Sequence, residues 1–133
     1  MKITVIAGAA VLITLAACGG NARAAVPPPL AVSGEIDVQE SCFTASQDYP
    51  DITGGAQVVV TSPSGRVVDT GTLAGGTDGA ADSGSGAVGQ CSYPFTLTIT
   101  LGQPRYGIAI GHNRGTIWFT PDQMRNGPVL SLG

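Results

Sequence analysis

The chain has 133 residues, of which 43% are hydrophobic and only 11% charged, with 20 glycines, 9 prolines, 3 cysteines and a single histidine. That length accommodates one small core and no second domain. A net charge of −3 leaves no basic surface to neutralise phosphates, which argues against nucleic acid as a partner, and the cysteine and histidine counts fall short of most zinc and iron–sulfur frameworks.

In chain order, Lys2 precedes an uncharged apolar stretch from Ile3 to Ala17. This is the plan of an export signal. Fifteen residues of helix would reach about 22 Å, short of the ~30 Å hydrocarbon core of a bilayer, so a permanent span is the weaker reading. Leu15-Ala16-Ala17-Cys18 follows at the end of the apolar stretch and resembles the lipobox of bacterial lipoproteins. The resemblance implies thioether attachment of diacylglycerol to Cys18, cleavage before it and acylation of the new terminus. Ala22-Arg23-Ala24 offers an alternative cleavage site before Ala25, although Arg23 is awkward there. Loss of residues 1–17 would remove the only lysine, leaving five arginines against nine acidic residues and a net charge of −4. That balance draws nothing to an anionic membrane; the lipid alone would attach the chain.

Residues 18–29 read as a flexible tether that ends in Pro27-Pro28-Pro29, and residues 30–133 as the domain. From Leu30 to Val38 the period is two, the mark of a half-buried strand. Ala56–Thr61 and Arg66–Leu73 flank the turn Ser62-Pro63-Ser64-Gly65 and form a hairpin. In Cys91–Leu101 the residues Cys91, Tyr93, Phe95, Leu97, Ile99 and Leu101 share one parity and three threonines the other. Arg105–Ile110 and Gly115–Thr120 form a second hairpin across Gly111–Arg114, and Pro128–Leu132 closes the chain. The single expected helical turn is Pro121–Arg125, with Thr120 and Gln123 as a capping-box pair and Gly127 beyond its end. Seven short strands predict an all-β, immunoglobulin- or transthyretin-like antiparallel sandwich. Residues 74–90, AGGTDGAADSGSGAVGQ, carry almost no apolar bulk and read as one long mobile loop. Asp78 and Asp82 within it are too few for a calcium site, and no metal is expected.

Chemistry is sparse. His112 lies in the Gly111–Gly115 turn with no GxSxG elbow, SxxK pair or spaced carboxylate pair beside it, so a turn role is expected and no catalytic residue is assigned. No phosphate or dinucleotide fingerprint occurs and no cofactor is expected. Ile117-Trp118-Phe119 places three bulky side chains on one short strand, and cover from the helical turn and the loop is expected. Tyr49-Pro50-Asp51 and Glu35, Asp37 and Glu40 read as surface features. Of the three cysteines, acylation of Cys18 would leave Cys42 and Cys91, an even pair in an oxidising compartment. Cys91 has core parity, and a Cys42–Cys91 disulfide is expected.

Gly34–Val38, Cys42, Tyr49–Ile52, Gln57–Val59, Thr72-Leu73, Cys91–Phe95, Tyr106, Phe119–Met124 and Leu130–Gly133, taken in that order, resemble small actinobacterial lipoproteins and secreted proteins of uncharacterised function. The likeness spans nearly the whole domain and implies no activity. The expectation is therefore a non-enzymatic module held on the outer face of the cell membrane through Cys18, binding an unknown envelope protein or ligand or supporting the envelope. Carriage of an apolar envelope lipid or other small ligand is the alternative, and it would need an enlarged cavity.

Overall fold

Strong alternation builds the two long strands first. In the computed structural model, which describes residues 20, 26–79 and 89–133, they are β1 (Pro29–Val38) and β5 (Cys91–Thr100), paired antiparallel over their full length from Pro29↔Thr100 to Val38↔Cys91. Along β5 every second residue from Cys91 to Ile99 is buried, as the parity predicts. The remaining strands are β2 (Gln57–Thr61), β3 (Val67–Thr72), β4 (Thr77–Asp78), β6 (Tyr106–Ile110), β7 (Ile117–Phe119) and β8 (Val129–Leu132). They form two four-stranded sheets, β4-β5-β1-β8 and β3-β2-β6-β7. The chain is an all-β sandwich.

The core lies between the sheets. One inner face supplies Val32, Ile36, Val38, Tyr93, Phe95, Leu97, Ile99 and Leu130, the other Val58, Val60, Tyr106, Ile108, Ile110 and Phe119. Each such aliphatic or aromatic side chain contributes about 1.5–3 kcal/mol by leaving water. Gly34 sits on the inner face because Phe95 occupies the space: a Cβ there would lie 2.5 Å from the Phe95 ring and 2.6 Å from the Pro128 carbonyl oxygen. On one side β3 seals the sandwich against β5, through the Leu73–Phe95 bridge and the Thr98 amide donating to Asp69 Oδ2 at 2.7 Å. At the end where β1 begins, the buried Tyr106 hydroxyl donates to the Thr100 carbonyl at 3.0 Å and accepts the Gln103 amide at 3.3 Å, fixing the β5–β6 turn.

Three features differ from the sequence expectation. Among the described residues there are eight strands, because Thr77–Asp78, at the start of the expected loop, pairs with Cys91–Ser92. Backbone hydrogen bonding to an open sheet edge needs no apolar side chain, which is why composition hides it. Residues 80–88 of that loop lie outside the described residues. A second helix, α1 (Cys42–Asp48), follows β1; the Ser41 hydroxyl accepts the Thr44 amide at 3.3 Å as N-cap, and Ala45 is buried. Its length and single buried residue leave no readable amphipathic period. Finally, β8 pairs with β1 in parallel, Glu35↔Val129 to Val38↔Leu132, so pairing is not antiparallel throughout. The parallel return follows from α2 (Pro121–Arg125), which crosses from β7 to the far sheet with Met124 buried beneath it. Its capping box forms as expected, with the Gln123 amide on Thr120 Oγ1 and the Thr120 amide on Gln123 Oε1.

Candidate functional site

The end of the sandwich away from Pro29 gathers most of the polar chemistry. Cys91 opens β5 with its side chain fully buried, Cys42 opens α1, and their sulfurs form the expected disulfide across a separation of 49 residues. It pins α1 to the central strand. The segment leading into β4 lies over this bridge: Gly76 packs so closely that a Cβ would stand 2.7 Å from both Cys91 Sγ and the Tyr93 ring. Asp78 then accepts the Cys42 amide at 2.7 Å. Burial pushes the Tyr93 phenol up, and the Asp78 carboxylate adds to the shift. Asp78 is thus engaged by backbone, while Asp82 lies outside the described residues. Among the described residues no group of three histidine, cysteine or carboxylate side chains could hold a metal.

Beside the disulfide, Asp51 ties the α1–β2 connection to the β6–β7 turn. Its carboxylate accepts Arg114 Nε at 2.7 Å, Arg114 Nη2, and the His112 amide at 3.0 Å. The Arg114 guanidinium holds the carboxyl far below the usual carboxylate range, opposed by burial and aided by the His112 amide. The same hydrogen bonds push Arg114 up. The guanidinium also lies 4.9 Å from the centre of the Tyr49 ring. Gly111 is required here on two counts: its φ is +68°, and a Cβ would meet Asp51 Oδ2 at 2.2 Å. Asp51 and Arg114 were not singled out by the sequence. Tyr-Pro-Asp reads as a surface feature and Asn-Arg-Gly as local turn chemistry, and 63 residues separate the partners. His112 does sit exposed on its turn, contributing its backbone to Asp51, and Asn113 takes a positive φ of 59°.

Two concavities adjoin this latch. On the outer face of the β2–β6 sheet an open cleft of about 440 Å³ is bordered by Asp51, Thr53, Gln57, Val59, Ala109 and His112. Between the sheets, where β7 and β8 leave the sandwich open, an apolar groove of about 40 Å³ is lined by Ile36, Ile52, Ile108, Ile110, Ile117 and Leu130. Neither α2 nor the 74–79 segment covers β7: Ile117 and Trp118 remain 44% and 40% exposed, a correction to the expected cover, while only Phe119 is buried. The reason is registry. Phe119 pairs with Tyr106 deep in the fold, whereas Trp118 lies on the outer face above Gly107, with the Arg105 guanidinium 5.1 Å from its ring centre.

Cys18 lies outside the described residues, and among the described residues no helix is long and apolar enough to cross a membrane. No protein-family model matches the chain, no curated protein matches it, and no solved structure matches it.

Proposed function

We propose that the chain is an exported lipoprotein acylated at Cys18, and that its β-sandwich works as a non-enzymatic binding or structural module on the outer face of the cell membrane. The observation that carries this reading is how fully the fold packs its interior and engages the carboxylate beside His112. The apolar groove between the sheets measures about 40 Å³, against the several hundred Å³ that ligand pockets need. Asp51, the carboxylate nearest His112, is engaged by three donors. Both facts favour action through the surface. The alternative, carriage of an apolar envelope lipid, keeps one supporting observation in the groove's mainly aliphatic walls, broken only by Arg114 and Gly115, but it requires β7 and β8 to separate.

Two measurements test the proposal. The exported chain partitions into the detergent phase and carries an acyl mass on Cys18, and Cys18→Ala moves it to the soluble fraction with its signal uncleaved; a soluble wild-type product beginning at Ala25 refutes the anchor. A thermal-shift screen with envelope lipids, soluble sugars and peptides then separates the modes. Stabilisation by lipids alone would favour the carrier.

A further inference from the structure

The tertiary fold sorts the charges that the sequence scatters. One end of the sandwich is where β1 begins at Pro29, beside Thr100, the β2–β3 turn and the β5–β6 turn. It carries Arg66 and Arg105, both exposed and, among the described residues, without a carboxylate in ion-pair range. Arg125 nearby is neutralised by Asp122 at 2.6 Å. The one other carboxylate in that third of the molecule among the described residues, Asp69, takes the Thr98 amide in the seam between sheets. Among the described residues, the opposite end holds Glu40, Asp48, Asp51 and Asp78 against Arg114 alone, with Asp37 just below on β1. Ten-residue strands separate the two ends by about 30 Å. The chain is acidic overall, yet the end that receives residues 18–28 is its basic end.

Apolar side chains sit with those arginines. Val67, next to Arg66, is 54% exposed, and Trp118 lies under the Arg105 guanidinium. Arginine beside tryptophan and an aliphatic side chain suits a membrane–water interface, where the aromatic ring settles among headgroups and the guanidinium meets phosphate.

We infer that this end is a docking surface for an anionic phospholipid bilayer, engaged through Arg66, Arg105, Val67 and Trp118. The inference rests on the tethered reading for its strength, because two arginines would bind a free bilayer only weakly. Read as a tether, the eleven residues 18–28 span at most about 36–40 Å even when extended, which makes docking intramolecular. The acidic end is repelled by the same surface, so the domain stands with α1, the disulfide and the Asp51 latch pointing away from the membrane.

Trp118 is the only tryptophan in the chain, so its fluorescence reports on this surface alone. The exported protein, purified as the cell makes it, is mixed with vesicles of brominated phosphatidylcholine, with and without phosphatidylglycerol. Flotation with the neutral vesicles reports the anchor separately. Docking predicts that Trp118 is quenched and blue-shifted when phosphatidylglycerol is present, and that ~1 M salt, with its ~3 Å Debye length, abolishes the change. Exposed Arg66→Gln and Arg105→Gln should each lower the docked-to-undocked ratio about fivefold without changing the melting temperature. Equal Trp118 emission in both vesicle types, from a chain that floats with both, overturns the docking and leaves the anchor standing. A chain without acyl groups that ignores neutral vesicles refutes the anchor; for it, flotation with anionic vesicles replaces quenching, and no preference for them overturns the docking as well.

Discussion

Replacing Asp51 by asparagine tests whether one carboxylate holds the α1 end of the sandwich together. The side chain keeps its shape and loses its charge. In the wild type it accepts from Arg114 Nε, Arg114 Nη2 and the His112 amide, with Asp51 and Arg114 side chains only 16% and 28% exposed. Hydrogen bonds to a charged group contribute about 1.5–3 kcal/mol, and the substitution leaves the guanidinium partly buried beside a neutral amide. A loss of about 2–3 kcal/mol is expected, or roughly 10 °C in melting temperature for a domain of this size. The pH dependence follows from linkage. Because the folded-state pKa lies below the unfolded value, the folded chain binds fewer protons in acid; the stabilisation is full above about pH 4–5 and is lost as pH falls towards the depressed pKa. Urea unfolding at neutral pH and at successively lower pH, for both proteins, measures both effects. Wild-type stability should fall more steeply below pH 4, so that the two curves converge in acid. Equal stability at neutral pH, or parallel curves in acid, would refute the latch.

Three further outcomes follow from the packing. Joint replacement of Cys42 and Cys91 by serine opens a 49-residue loop and should cost about 4 kcal/mol in the chain-entropy model, read as a fall in denaturation midpoint that reductant reproduces in the wild type. Gly34→Ala drives a methyl group into the Phe95 ring and the Pro128 carbonyl; a cost of about 1–3 kcal/mol by thermal unfolding is expected, and an unchanged melting temperature would mean that β8 yields freely. His112→Ala keeps the backbone amide that Asp51 accepts, so stability should move by less than about 0.5 kcal/mol, and a larger loss would assign the imidazole a role.

Much of the architecture was legible because strand parity is a local code. Cys91, Tyr93, Phe95, Leu97 and Ile99 alternate in the sequence and are buried together in the sandwich. The capping box at Thr120–Gln123 was legible for the same reason, since its two hydrogen bonds span three residues. The disulfide could be reasoned from cysteine number and the parity of Cys91. The short elements escaped. α1 buries only Ala45, and β4 is two residues held by backbone pairing, so neither leaves a side-chain period to read.

What the sequence determines by itself is the pattern along the chain: which faces are apolar and where turns fall. Only the tertiary structure decided what meets what. The Asp51–Arg114 latch joins residues 63 positions apart, and neither motif hints at the other. Exposure of Trp118 depended on the register of β7 on β6, which buries Phe119 beside Tyr106 and leaves Trp118 on the outer face. The separation of Arg66 and Arg105 from the acidic end is likewise invisible in a net charge of −3, because a sum over charges carries no direction. The strands supply that direction, by carrying the chain back and forth between the two ends about 30 Å apart.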